Sequence, residues 1–203
     1  MKTLTRIFFM MAVAGLFFAC EKPNDFFEEE AFGLKMGNPG PVTVTVPFKS
    51  DFTVWNHSDY TYNPCAVEGE PWIVFLTMIG EGVATHLGKL TVTMTFCCNG
   101  ITGEYWNTDV IFVAANGDEL YGSIPIGYIV ENDEENSNRY GAKFNDPMYF
   151  TGGTGRFEGA SGMVMTNAYV HDPRYDEYVH NGDEVWHTDF FSKGTITMKK
   201  GKP

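Results

Sequence analysis

Short alternating runs of apolar and polar residues follow one another from Val42 onward, and Gly, Asn, Asp and Pro interrupt them at short intervals. Successive side chains of an extended strand point to opposite faces of a sheet, so this period of two predicts β-strands, and helical periodicity is absent. The predicted strands cover residues 42–48, 52–56, 72–78, 85–97, 108–115, 119–130, 139–150, 156–170 and 185–199. Eight or nine strands with no helix between them predict an all-β domain.

One turn between strands has a clear sequence signal. Asn116-Gly117-Asp118 separates two predicted strands, and an Asn-Gly pair readily takes the positive φ angles of a type I′ hairpin turn. Strands joined by such short turns pair with each other in antiparallel fashion. Many successive hairpins predict an up-and-down barrel or a sandwich, and a closed barrel also removes exposed sheet edges.

The alternation also assigns side chains to the two faces of the sheet. In the strand 85–97 the predicted inner residues are Leu90, Val92, Met94 and Phe96. The same alternation, continued toward the start of the strand, also assigns Gly88 and His86 to the inner face. In the last strand they are Trp186, Phe190, Ile196 and Met198. In the strand 156–170 they are Phe157, Met163, Met165, Asn167 and Tyr169. Apolar side chains thus fill most of the predicted interior, and polar groups join them toward the strand ends.

Four of the residues assigned to the interior carry a polar or amphipathic side chain: His86, Asn167, Tyr169 and Trp186. We predict that they line one end of an apolar lumen and orient a small apolar or amphipathic ligand there. His86 also has a structural alternative, because an imidazole at a strand end serves as a hydrogen-bond anchor. A catalytic role would require a carboxylate or nucleophile beside it, and anchoring is the favoured interpretation.

Charge excludes one class of partner. The 203 residues include 14 Lys and Arg against 26 Asp and Glu, which gives a formal net charge of −12. A protein that follows the phosphates of a nucleic acid needs a basic surface, and no basic cluster occurs in the sequence. Nucleic acid is therefore not an expected partner.

The N-terminus has the features of an export signal. Lys2 and Arg6 precede an apolar stretch over 7–19, which as a helix reaches only about 20 Å and is too short to cross a membrane. Phe17-Phe18-Ala19-Cys20 resembles the lipobox of bacterial lipoproteins, whose cysteine is acylated. We predict a signal peptide over 1–19, a lipidated Cys20 with an acidic flexible tether over 20–41, and a β domain over 42–203.

The acidic residues of the tether suggest where in the cell the protein is located. Its acidic run of three glutamates resembles the segments of lipoproteins sent to the outer face of the outer membrane, and a plain solvated linker is the alternative. The expected location is the bacterial cell envelope, with the membrane as a partner through the N-terminal lipid.

Three cysteines remain beyond Cys20, namely Cys65, Cys97 and Cys98. Export permits a disulfide, and Cys65 has two candidate partners. Neighbouring residues of a strand face opposite sides, so at most one of Cys97 and Cys98 faces inward. A buried free thiol is the alternative to a disulfide.

Three sequence blocks resemble one known superfamily. They are GVATHLGK over 82–89, ANGDEL over 115–120 and TGGTGRFEGASG over 151–162. In this order they are similar to bacterial secreted proteins related to the allene oxide cyclase and dirigent superfamily. The resemblance implies a calycin-like, single antiparallel up-and-down barrel of about eight strands. It implies a structural turn role for Asn116, Gly117, Gly152, Gly153, Gly155 and Gly159, and it identifies no catalytic residue.

Two further segments contain residue types that bind ligands in other proteins. Imidazoles and carboxylates are frequent between His171 and His187, but their spacing matches no zinc or calcium motif, so we interpret the segment as a solvated loop and predict neither a metal nor a cofactor. Residues 55–72 contain Trp55, Tyr60, Tyr62 and Trp72. Such aromatic residues suit sugar stacking and also commonly cover barrel ends.

Three functions remain open at this point. The favoured one is a non-enzymatic, lipid-anchored binder of a small apolar or amphipathic molecule. The second is recognition of a glycan or host protein through the outer loops. The third is a cyclase or isomerase, which requires ionisable groups inside the lumen. A filled lumen would favour the second function, and an open lumen the first or third.

Overall fold

The computed structural model of the protein describes residues 42–137, 139–171, 179–180, 183–184 and 187–200. The predicted signal peptide, Cys20, the tether and Trp186 lie outside the described residues. Eight long strands are present: β1 (Thr43–Asn56), β2 (Ile73–Ala84), β3 (Gly88–Asn99), β4 (Glu104–Ala114), β5 (Glu119–Tyr128), β6 (Tyr140–Gly153), β7 (Ser161–His171) and β8 (His187–Lys199). The two strands predicted over 42–48 and 52–56 are one continuous strand.

The eight strands form a closed barrel. Each pairs in antiparallel fashion with the next along the chain, and β1 also pairs with β8 from Thr43–Lys199 to Trp55–His187. The predicted single antiparallel up-and-down barrel is therefore confirmed. The described residues include one turn of 3₁₀-helix, Gly155–Phe157, and no α-helix. They contain no helix of the length and apolarity that a membrane span needs.

Pairing is shortest between β5 and β6. It covers Leu120–Ser123 of β5, and Ser123 is registered with Tyr149. The next paired segment is the two-residue strand Val130–Glu131, which contacts β6 at Ala142 and Lys143. Between these points the two strands diverge and leave a seam in the barrel wall.

Aromatic side chains fill the end of the barrel where β1 begins, here called the closed end, and the middle of the interior. At the closed end the rings of Phe48 and Phe150 lie 4.8 Å apart in an edge-on arrangement. In the middle Phe52 stacks on Phe190 at 4.9 Å and contacts Phe112 at 5.4 Å. The opposite end of the barrel is here called the open end.

The predicted inner face of β3 is confirmed for Leu90, Val92 and Met94, which are all buried. The inward assignment of Gly88 and His86 is wrong, because β3 begins at Gly88 and His86 lies in the preceding turn with φ 68°. Both residues are exposed. Strand parity does not extend through a turn, so it cannot orient these side chains.

The predicted inner face of β7 is also wrong. Val164, Thr166 and Ala168 are buried, whereas Met163 and Met165 are 42% and 37% exposed. The prediction carried the parity of the buried Phe157 into the strand, but the 3₁₀ turn at Gly155–Phe157 interrupts the extended backbone and resets the alternation. In β8 the predicted inner residues Phe190 and Ile196 are buried as expected, and Met198 packs partly buried against the core.

The hairpin between β4 and β5 is present, with a turn type that differs from the prediction. Gly117 has φ 86° and Asn116 does not have positive φ, so the turn is not type I′. The Gly117 N–H donates to the Ala114 carbonyl at 2.9 Å, and the Ala114 N–H donates to the Asp118 carbonyl at 2.9 Å. This is the three-residue hairpin in which a glycine forms a bulge after a type I turn.

The glycine-rich block over 151–162 seals the closed end. Gly152, Gly155 and Gly159 have positive φ, and the turn places the Phe157 ring in the core. A Cβ on Gly155 would lie 2.0 Å from Asp118 Oδ1, and one on Gly153 would lie 2.2 Å from the Glu119 carbonyl oxygen, so side chains are excluded there. Arg156 Nε lies 3.3 Å from Asp118 Oδ2 and joins the block to the β4–β5 hairpin.

Candidate ligand-binding cavity

A cavity of about 260 Å³ occupies the interior at the open end of the barrel. Its walls are the inward side chains of β1 to β8 at this end, together with Tyr60 and Ile129 from the connecting segments. Those of the first four strands are Val54, Asn56, Leu76, Met78, Met94, Phe96, Tyr105 and Thr108, and those of the last four are Ile124, Phe144, Val170, Thr188 and Phe190. Phe190, which stacks on Phe52, lies at the floor of the cavity, and the rings of Phe96, Tyr105 and Phe144 line its sides.

A β-bulge in β4 places two of the wall residues. Thr95 is registered with Asp109 and Cys97 with Trp106, so β4 has one extra residue between these pairs. Asn107 takes φ 52° at this point, a conformation that asparagine tolerates better than most residues. The extra residue changes the parity, and both Tyr105 and Thr108 face inward. Sequence reasoning missed both, and the only local signal was an asparagine within an apolar strand.

The cavity mouth is polar. Asn56, at the end of β1, donates from Nδ2 to the Tyr60 hydroxyl at 2.7 Å and accepts from the Ser58 N–H at 2.9 Å. Tyr60 is 65% exposed and belongs to the aromatic segment 55–72. Tyr62 from the same segment packs edge-on against Phe75, with ring centroids 5.9 Å apart. One aromatic residue of this segment thus lines the mouth, and another covers the outer surface.

Tyr105 is the only ionisable wall residue inside the mouth among the described residues. Its hydroxyl donates to Asp146 Oδ2 at 2.8 Å across the seam between β5 and β6. Burial, with a further contribution from the hydrogen bond to Asp146, raises the pKa of Tyr105 far above its usual value. The phenol is therefore neutral at physiological pH, and the bond helps to hold the seam together.

Thr108 contributes a buried hydroxyl to the wall. The residue is 1% exposed, and its Oγ1 makes no hydrogen bond with the described residues. Thr188 lines the cavity from β8, four strands away around the barrel and thus on the opposite wall. Apart from these hydroxyls, Asn56 and the two tyrosines, the wall residues that the structure describes are apolar.

Of the four residues predicted to line the lumen, the three that the structure describes do not meet inside it. His86 is exposed at the closed end, and its Nε2 lies 3.1 Å from the Pro47 carbonyl oxygen, a contact that fits the anchoring interpretation. Asn167 and Tyr169 are on β7 near the open end, but they face the outer surface, because that strand has the opposite parity to the predicted one. Trp186 lies outside the described residues. The inward orientation predicted for His86, Asn167 and Tyr169 is therefore wrong.

A disulfide connects the mouth segment to the barrel. Cys65, in the β1–β2 connection, is bonded to Cys97 of β3, with the Cα atoms 5.8 Å apart. Cys98 has a free thiol and is the inward member of the Cys97–Cys98 pair, since it belongs to the buried core. Burial raises the pKa of the Cys98 thiol, which disfavours its nucleophilic thiolate form. The structure thus contains both a disulfide and a buried thiol.

A second polar cluster lies on the outer face near the open end. Asp189 accepts hydrogen bonds from Thr53 Oγ1 at 2.6 Å, His171 Nε2 at 2.9 Å and the Tyr140 hydroxyl at 3.0 Å. Burial alone would raise the pKa of Asp189, but these three hydrogen bonds outweigh it and lower the pKa below its ordinary value. Asp189 alternates with Thr188 and Phe190, which line the cavity, so it faces away from the lumen. Its contacts tie β1, β6, β7 and β8 together.

The part of the chain that the structure describes contains no cluster of metal-ligating side chains. No three His, Cys, Asp or Glu side chains there lie close enough to hold a metal ion. Most of the charged segment between His171 and His187 lies outside the described residues.

No family model matches this sequence, and no curated protein matches it. Among solved structures, that of the pterocarpan synthase dirigent protein PsPTS1 is similar, with 11% sequence identity and a TM-score of 0.44. The alignment covers 79% of this chain and 97% of that chain. Identity this low assigns no residue role, so functional inference starts from the cavity itself.

Proposed function

We propose that the protein binds a small, uncharged and largely apolar molecule in the cavity at the open end of the barrel. The observation that carries this proposal is an apolar space of about 260 Å³ at one end of a barrel that is otherwise filled with aromatic side chains. Ligand sites in proteins are typically apolar cavities with a few polar groups that orient the ligand. Here Asn56 and Tyr60 place such groups at the mouth.

The size and chemistry of the cavity limit the ligand. A cavity of about 150 Å³ is known to accept benzene, so the present one has room for a single substituted ring or a short alkyl chain. No Asp, Glu, His, Lys or Arg is among the wall residues that the structure describes. Burying a charge without a partner is costly, so a charged ligand would have to keep its charge at the mouth.

The same walls favour binding over catalysis. A cyclase or isomerase needs a general acid or base near the reacting atoms. Tyr105 is held neutral and is already bonded to Asp146, and the Cys98 thiol has a raised pKa. The described wall residues thus supply no evident general acid or base for proton transfer near neutral pH.

A binding measurement with a blocked cavity tests the proposal. Propylbenzene should bind the protein with a Kd below about 1 mM, as measured by ligand-detected NMR or calorimetry. Val170→Trp places an indole in the cavity and should abolish this binding. Overpacking of this kind costs about 1–3 kcal/mol, so circular dichroism is needed to confirm that the variant is folded.

Val83→Trp is the matched control, because Val83 is 50% exposed on the outer face of β2. It introduces the same side chain and should leave propylbenzene binding unchanged. Equal binding by the parent and a folded Val170→Trp variant would show that the cavity is not the site. Absence of binding by the parent would refute the proposal for single-ring ligands.

We further propose that the protein is exported and anchored by acyl chains on Cys20, which would place the cavity at a membrane surface. The Cys65–Cys97 disulfide supports export, since disulfides persist mainly in oxidising compartments. Metabolic labelling with an alkynyl fatty acid should label the parent protein and not the Cys20→Ala variant. Equal labelling of both proteins would be incompatible with anchoring at Cys20.

A further inference from the structure

A groove of about 350 Å³ opens on the outer surface beside the seam between β5 and β6. It lies where the strands diverge, between the Ser123–Tyr149 pair and the Val130–Lys143 pair. Tyr128, Asn145, Asn167 and Tyr169 are among its walls. We call it the seam groove. It is separate from the ligand cavity, although Phe144 contributes to the walls of both.

Two adjacent amides present complementary hydrogen-bonding groups in the groove. Asn145 of β6 is registered with Asn167 of β7, and Asn145 Nδ2 donates to Asn167 Oδ1. The bond leaves the Asn145 Oδ1 acceptor and the Asn167 Nδ2 donor without a hydrogen bond among the described residues. A hydroxyl group both donates and accepts, so neighbouring hydroxyls of one molecule match this pair.

Aromatic side chains flank the amides. Tyr128, at the end of β5, is 51% exposed, and its ring is available for contact with a flat apolar surface. Tyr169 is held by a hydrogen bond from its hydroxyl to Glu134 Oε2 at 3.2 Å. An aromatic face beside hydrogen-bonding groups suits a molecule with an apolar face and a polar edge, such as a pyranose ring.

Charge in the groove disfavours an anionic ligand. The only cation among its described walls is Lys143, whose ammonium lies 2.7 Å from Asp133 Oδ1 and 3.1 Å from Glu134 Oε1. Hydrogen bonds to these carboxylates raise the pKa of Lys143, so it stays charged and committed to them. Asp146 adds another carboxylate to the wall. The groove therefore carries a negative excess.

We propose that the seam groove binds a neutral sugar, with the amides of Asn145 and Asn167 on neighbouring hydroxyls and the Tyr128 ring against the sugar face. This site is independent of the lumen. It is also distinct from the aromatic segment 55–72, which the sequence suggested for sugar stacking.

Titration of the full-length protein with methyl glycosides tests the inference. The probes are the methyl glycosides of glucose, galactose, mannose and N-acetylglucosamine, observed by saturation-transfer NMR, with methyl glucuronide as the anionic comparison. At least one neutral glycoside should bind at millimolar concentration and more tightly than the glucuronide. Asn167→Leu should weaken that binding about tenfold through loss of its hydrogen bonds, and Tyr128→Ala should weaken it by at least as much.

Tyr62→Ala is the matched control, because Tyr62 is similarly exposed at 62% but lies away from the groove. It should leave glycoside binding unchanged, and so should Val170→Trp, which blocks only the lumen. Failure of every neutral glycoside to bind overturns the inference. So does binding that persists undiminished in folded Tyr128→Ala and Asn167→Leu variants. Neither result bears on propylbenzene binding, so the two proposals fail separately.

Discussion

The Val164→Lys variant is expected not to fold, whereas Met163→Lys is expected to fold with nearly the stability of the parent. Val164 is 0% exposed inside the barrel, registered with Met148 on β6 and Gly194 on β8. None of these neighbours can pair with a cation, and an unpaired buried charge costs more than most domains can tolerate. Met163 is 42% exposed on the outer face, where a lysine side chain reaches water.

Purified variants distinguish these outcomes through near-ultraviolet circular dichroism and urea unfolding. We expect Val164→Lys to lose at least about 4 kcal/mol of stability or to yield no cooperative transition. Met163→Lys should change the free energy of unfolding by less than about 1 kcal/mol. The reverse result, with Met163→Lys unfolded and Val164→Lys stable, would restore the face assignment made from the sequence and contradict the structure of β7.

Removal of the disulfide by the double substitution Cys65→Ser and Cys97→Ser is expected to lower the free energy of unfolding by about 3–4 kcal/mol. The two cysteines are 32 residues apart, and crosslinking a loop of this size removes conformational entropy from the unfolded chain by about that amount. The bond also fastens the segment that carries Tyr60 over the cavity mouth. The loss should therefore be accompanied by faster exchange of amide protons in the β1–β2 connection.

Urea unfolding in the presence and absence of a reducing agent provides the internal control. Reduction should destabilise the parent by the same amount as the double substitution and should leave the double variant unchanged. The buried Cys98 is present in both proteins, so its chemistry cancels in the comparison. A loss below about 1 kcal/mol would show that the crosslink contributes little to stability.

The sequence determined the β class of the domain and the faces of its uninterrupted strands. The inner face of β3 follows from Leu90, Val92 and Met94, because an extended backbone preserves alternation for as long as it stays extended. The same rule showed that Cys97 and Cys98 face opposite sides. Barrel closure was predicted mainly from the resemblance of the glycine-rich blocks, since pairing of β1 with β8 joins the two ends of the domain.

Only the three-dimensional structure reveals which side chains face inward beyond a point where the strand alternation is interrupted. The 3₁₀ turn before β7 put Val164 inside and Met163 outside, and the bulge at Asn107 turned Tyr105 and Thr108 toward the lumen. Such irregularities shift the register by a single residue, which reverses every later side chain and has only a weak local signal.

The candidate sites likewise depended on the tertiary structure. The cavity exists because aromatic residues from distant strands fill the closed end and the middle, whereas the inward side chains of the eight strands leave a space between them at the open end. The seam groove exists because β5 and β6 stop pairing after Ser123 and Tyr149. Local sequence sets which face a side chain takes, but a cavity is the space left between side chains that meet only after the chain has folded. The sequence alone therefore predicted a lumen with a ligand and misplaced the residues around it.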